Sequence, residues 1–156
     1  MAKDKIWDYF RELGMEDRVL VFEESSATVE LAAKAVGCET RQILKTMSFL
    51  VKNQPLLVVS AGTVRVDNGK FRARFEGRPK MIPADQVLDL VGFEIGGVSP
   101  FCVKEGVPVY LDESIRGNTT VYLGGGSPNS LVRVTLEELE RLAGPEDWVD
   151  VCKSME

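Results

Sequence analysis

Ile6, Tyr9, Phe10 and Leu13 recur at i, i+3, i+4 and i+7. That spacing puts them on one face of an α-helix, and Gly14 follows as a stop. Trp7 and Phe10 on this helix are expected to pack inward. Residues 18–22 read as a strand. Ser25 and Ser26 precede an alanine-rich helical run over 29–36, closed by Gly37, and are its expected N-terminal caps. Residues 43–51 are strand-like and carry Lys45. Asn53-Gln54-Pro55 then turns the chain into 56–61, apolar throughout and so expected at the centre of a sheet.

Asp67 can cap a helix running to Phe75, and a short strand follows at 80–82. Pro83-Ala84-Asp85 opens a helix through Val91 that Gly92 closes. Further strands are expected at 107–111, 119–123 and 131–134. Thr135 and Glu138 form a T-x-x-E capping box for a helix ending at Gly144-Pro145. Residues 148–152 read as a terminal strand. Strands and helices alternate without a βαβ rhythm, and no repeat or linker interrupts them. The expectation is a single domain over 1–156, of α/β (α+β) class, with a mixed, mostly antiparallel sheet and helices around it.

The 156 residues are 44% apolar and 28% charged, as in an ordinary globular domain. No run approaches the roughly 20 apolar residues of a membrane span. The start, Met-Ala-Lys-Asp-Lys, lacks a signal-peptide core, so a cytoplasmic protein is expected. Cys38, Cys102 and Cys152 are odd in number and widely spaced, which fits reduced thiols.

The chain has no histidine. Ser-His-Asp and Cys-His machinery is excluded, as are HExxH zinc sites, and no metal or cofactor is expected. Chemistry must come from lysine, carboxylates, hydroxyls, backbone amides or the substrate itself. The formal net charge is −5, yet residues 65–80 hold six basic residues against Asp67 and Glu76. This basic strip is either a solvated helix face or a local phosphate contact.

Two glycine loops stand out, Gly96-Gly97-Val98-Ser99-Pro100 and Gly124-Gly125-Gly126-Ser127-Pro128. Neither matches a P-loop or a dinucleotide fingerprint. They are tight turns, or places where backbone N–H groups approach a ligand and hold a developing oxyanion. Lys45 interrupts an apolar strand. It lies on a polar face, or points inward and needs an anion. Asp85, Glu94, Asp112 and Glu113 show no acid–base spacing and read as surface charges or caps.

The order of these motifs resembles a known family. Glu24-Ser25-Ser26-Ala27-Thr28 leads into Ala32-Ala33-Lys34-Ala35-Val36-Gly37, then Ile43-Leu44-Lys45-Thr46 and the basic strip. Gly96-Gly97-Val98-Ser99-Pro100-Phe101 and a glycine cluster before Asn129-Ser130-Leu131-Val132-Arg133-Val134-Thr135 complete it. Together they are similar to the YbaK/EbsC family of prolyl-tRNA-synthetase-associated (INS-like) editing domains, from about residue 5 to 145.

The resemblance implies a curved, barrel-like sheet and deacylation in trans of a mischarged tRNA, with a small amino acid such as cysteine or alanine on tRNA-Pro. It implies that Lys45, Gly96 and Gly97 carry the catalysis. It implies substrate contacts from Ser26, Thr28 and Thr46, from Val98, Ser99 and Pro100, and from Gly125, Gly126, Ser127, Asn129 and Ser130. The implied partners are the tRNA 3′ acceptor end, touched by Lys70, Arg72 and Arg74, and prolyl-tRNA synthetase; no membrane is implied. Several relatives carry a histidine in the second loop, where this chain reads Ser127-Pro128-Asn129-Ser130, so no side-chain base can act there. The alternative is a non-catalytic module of the same fold that binds a small molecule, a tRNA end or a synthetase.

Overall fold

The computed structural model describes residues 2–23, 28–93, 98–127 and 129–155. The chain opens with α1 (Ala2–Glu12), which buries Ile6 and Phe10 completely. Trp7, expected inside, is 40% exposed, because position 7 lies off the stripe set by Ile6 and Phe10. Gly14, at φ 71°, lets the chain leave the helix, and Met15 N–H returns to the Phe10 carbonyl at 2.8 Å. β1 (Val19–Val21) follows a 3₁₀ turn.

α2 (Val29–Val36) ends at Gly37 as expected, but its cap is Thr28, whose hydroxyl accepts the Leu31 N–H at 3.1 Å. Ser25 and Ser26 lie outside the described residues. β2 (Leu44–Val51) and β3 (Gln54–Ala61) form a hairpin. β4 (Val64–Val66), only three residues long, has no expectation in the sequence. α3 (Asn68–Phe75) starts on Asp67, which accepts the Lys70 N–H at 2.9 Å. β5 (Lys80–Met81) and α4 (Val87–Val91) complete the first half.

β6 (Val109–Asp112), β7 (Thr120–Gly124) and β8 (Ser130–Thr135) lead into α5 (Leu136–Ala143), which has the Thr135–Glu138 capping box. The terminal segment is two strands, not one. β9 (Asp147–Val149) joins the main sheet, and β10 (Cys152–Ser154) pairs with β4.

The main sheet has the order β5-β2-β3-β6-β9, with apolar β3 at its centre. A three-stranded sheet β1-β8-β7 packs against it, and the β10-β4 ribbon is a separate two-stranded sheet that packs with Phe49, Leu56 and Val58 of the main sheet. Five strand pairings are antiparallel, whereas β3–β6 and β6–β9 are parallel. The sheets are not closed into a barrel; an isolated Ile43–Tyr122 bridge links the two larger ones.

Alternation along the main sheet builds a core on each of its faces, and a third, smaller cluster gathers Ala32 and Ala33 of α2 with Ile43 and Leu131. Leu57, Val59 and Leu111 of the main sheet pack with Val121, Leu123 and Val132, and with Phe10 of α1. The other face carries Phe49 and Val58 against Phe71 of α3 and Val151. Asp112, read from the sequence as a surface charge or cap, is a cap but is only 1% exposed. It accepts the N–H of Ser114 and that of Val151, each at 2.9 Å, so its burial is supported by two backbone donors.

Candidate active site

A cavity of about 220 Å³ opens where β2 meets the β7–β8 loop. β2 lines it from Leu44 to Ser48. Thr28 and Val29 at the start of α2 close one side, and Met81, Ile82 and Val87 another. Val98, Gly124, Ser127 and Ser130 complete the wall. Among the residues expected from the sequence, Thr28, Lys45, Thr46, Val98, Ser127 and Ser130 are thus brought together. Gly96, Gly97 and Ser26 lie outside the described residues.

The remaining expected residues stand behind the wall. Ser99 is fully buried and its hydroxyl accepts the Phe101 N–H at 3.2 Å, with Pro100 buried beside it. Gly125 has no space for a side chain: a Cβ would meet Ser130 Oγ at 2.8 Å and the Ser130 backbone carbon at 3.1 Å. Gly126, at φ 96°, turns the loop in a conformation that favours glycine. Asn129 is a clamp. Its amide nitrogen donates to the Phe22 carbonyl at 2.7 Å, and its Oδ1 accepts from Ser127 at 2.9 Å. Ser127 and Ser130 also join their hydroxyls at 2.7 Å.

Lys45 sits opposite Ser60 of β3, on the sheet face shared with Met47. Its ammonium donates to the carbonyl of Val64 in β4. Burial lowers its pKa below the ordinary lysine value, against a smaller opposing effect of Cys152. Cys152 is 6% exposed, and its pKa is pushed up to about 12, first by burial and then by the charge of Asp112 and a hydrogen bond to it. The thiol therefore stays protonated at neutral pH and is no nucleophile.

The basic strip does not reach the cavity wall. Lys70 is held by Asp150 at 3.1 Å and by the Cys152 carbonyl at 3.0 Å. Arg74 pairs with Asp147 at 3.3 Å and lies over the Phe75 and Tyr110 rings. Arg72 is exposed, beside Arg78 in a shallow depression. Sequence reasoning missed Ser48, Met81, Ile82 and Val87 as wall residues. Ser48 was reachable, since it follows Thr46 by two along a strand and so shares its face.

The sequence profile of the aminoacyl-tRNA editing domain family matches residues 23–142, most of the chain and all of this cavity. The chain belongs to the aminoacyl-tRNA editing domain family. It is 38% identical to the uncharacterized protein YwhH of Bacillus subtilis (strain 168) over the full length of both. A solved structure provisionally described as a trans-editing enzyme for prolyl-tRNA synthetase superposes with a TM-score of 0.87 at 31% identity, covering 98% of each chain. A proline–tRNA ligase of Limosilactobacillus fermentum is 32% identical over 104 residues, which are 62% of this chain and 18% of that enzyme. The editing domain thus matches a small part of a synthetase, and the whole of YwhH and of the solved structure. Among its described residues no helix is long and apolar enough to cross a membrane.

Proposed function

We propose that this editing domain hydrolyses, in trans, the ester joining a wrong amino acid to the terminal adenosine of a tRNA, with a small amino acid on tRNA-Pro as the substrate. The observation that carries the reading is the family match over 23–142, which spans a cavity where Lys45 and Thr46 meet the Ser127–Ser130 loop.

An ester beside an ammonium group is already activated, so the protein need not supply a strong nucleophile. Water adds to the ester carbonyl, the carbon–oxygen bond to the ribose breaks, and the ribose oxygen leaves with a proton as free amino acid and tRNA form. The neighbouring ribose hydroxyl relays the proton, which suits a chain without histidine. Lys45 neutralises phosphate or ribose oxygens of the 3′ end. Backbone N–H groups of the 96–98 segment stabilise the oxyanion, where losing one donor typically reduces the rate about 10²–10³-fold. The proposed route to the site is the tRNA acceptor end, delivered with the help of prolyl-tRNA synthetase.

The test is deacylation by the purified chain and its Lys45→Ala variant of tRNA-Pro charged with cysteine, alanine, serine or proline. Rapid loss of one mischarged ester, abolished in the variant, is the expected result. No loss of any ester, even with prolyl-tRNA synthetase added, would favour a binding module of the same fold.

A further inference from the structure

Among the described strands only β10 pairs with β4. The register sets Val66 opposite Cys152, Arg65 opposite Lys153 and Val64 opposite Ser154. Just beyond it, the Asp67 N–H donates to the Val151 carbonyl at 2.8 Å. Hydrogen-bonding pairs alternate along an antiparallel ladder, so two residues away Arg65 and Lys153 turn their backbone groups to each other. Val64, one residue further, turns its carbonyl the other way. That carbonyl accepts the Lys45 ammonium.

The ribbon is itself anchored. The Val151 N–H donates to the buried carboxylate of Asp112 at 2.9 Å, and Lys70 reaches the Cys152 carbonyl at 3.0 Å. Contacts therefore lead from β6 of the main sheet through β10 and β4 to the Lys45 ammonium. A lysine stem has several rotatable bonds and much freedom to lose when its head group binds. An acceptor already in place removes part of that cost. It also leaves the other N–H donors of the ammonium to a ligand in the cavity that Lys45 lines. The family profile ends at residue 142, so it covers neither β9 nor β10.

We propose that β10 is a positioning strand for Lys45: through the Arg65–Lys153 pair it fixes the Val64 carbonyl, which aims the ammonium at the 3′ end of the substrate. This rests on the deacylation reading and adds to it an element outside the family profile. The backbone of β10 does the positioning. The Lys153 side chain is exposed and only pairs with Asp67, at 3.8 Å.

The experiment compares the wild type with Lys153→Pro and Lys153→Ala. Proline removes the N–H that pairs with Arg65, whereas alanine removes the ion pair with Asp67 and keeps the ladder. The first readout needs no substrate. In magnetic resonance spectra of chains carrying isotope-labelled lysine, in mild acid, an ammonium signal survives exchange with water only where the group is held. Lys45→Met identifies the Lys45 signal. The wild type and Lys153→Ala should show it, and Lys153→Pro should lose it while melting close to the wild type. The second readout is deacylation of mischarged tRNA-Pro. Lys153→Pro should lower kcat/KM about tenfold, with KM raised as well as kcat lowered, because a displaced lysine grips the 3′ end less well. A smaller folded fraction would lower kcat alone. Lys153→Ala should stay within about twofold of the wild type. No held Lys45 signal in the wild type, an unchanged signal or rate in Lys153→Pro, an equal loss in Lys153→Ala, a loss in kcat alone, or melting well below the wild type each overturns the proposal while deacylation stands. Failure of the wild type to hydrolyse any ester overturns the deacylation reading, and with it the catalytic purpose of the strand.

Discussion

The Lys45 ammonium donates to the Val64 carbonyl, tying the middle of the main sheet to the start of β4. A half-buried ammonium with one backbone acceptor is poorly compensated, and burial lowers its pKa accordingly. Lys45→Met replaces it with an apolar chain of similar length. The variant is expected to melt at or slightly above the wild-type temperature, while deacylation falls about 10²-fold or more. Melting well below the wild type would make the Lys45–Val64 contact a structural tie and remove the case for a catalytic lysine.

Cys152 gives a second, independent prediction in alkali. Its folded pKa of about 12 stands above the ordinary thiol value of 9.0. Between these values the unfolded chain releases a proton that the folded chain keeps, so stability is full below about pH 9 and falls as pH rises toward 12. Cys152→Ser retains a donor for Asp112 but does not titrate there. Denaturant unfolding at pH 8 and pH 10.5 should show a larger loss for the wild type than for the variant. Lys45, whose lowered pKa acts in the opposite sense, is coupled to Cys152, so the same comparison made in a Lys45→Met background isolates the thiol. Equal losses would mean that the thiol already ionises in the folded state.

The same cluster shows where sequence reading stops. Helix ends were legible because their signals are local: Gly37 takes φ 74° and Thr135 caps through Glu138 three residues on. Apolar β3 was legible as the central strand because a strand covered on both faces has no polar side. Asp112, Cys152 and Lys45 meet through strands far apart in sequence, and no spacing announces that. The three residues of β4 are too short for an alternating pattern, and the terminal segment splits between two sheets at a point with no glycine or proline. For the site, the residues alone left Lys45 and the glycine loops open, and only the ordered resemblance joined them. The ion pairs that hold Lys70 and Arg74 were invisible, because their partners lie beyond residue 146.

A third prediction concerns acid. Arg18 and Glu138 join β1's approach to the start of α5 by a charge-assisted hydrogen bond. That bond, ahead of the Thr135 cap, brings the Glu138 pKa down from 4.5 to about 2. A lowered carboxylate pKa adds stability that is complete above about 4.5 and is lost as pH falls toward 2. Glu138→Gln keeps the acceptor for Thr135 N–H and removes the charge. It should destabilise the protein by about 1–2 kcal/mol at pH 7. The two proteins should converge near pH 2, as urea titrations would read. A constant difference from pH 7 to pH 2 would show that packing, not charge, supplies the effect.

The basic strip carries the last prediction. Lys70 and Arg74 are occupied by Asp150 and Asp147, while Arg72 stands exposed on the same helix. If this helix meets the phosphate backbone, Arg72→Ala should weaken tRNA binding several-fold and reduce the slope of log affinity against log salt by about 1. Asp147→Asn and Asp150→Asn should do the reverse, because each frees a cation already positioned on α3. Surface ion pairs contribute little to folding, so neither aspartate variant should lose much stability, and a change in binding can be read directly. Salt titrations of tRNA binding by the four proteins decide the matter. A slope unchanged in all three variants would move the phosphate contact away from α3, leaving its arginines and lysine as the outer face of a helix held by Phe71.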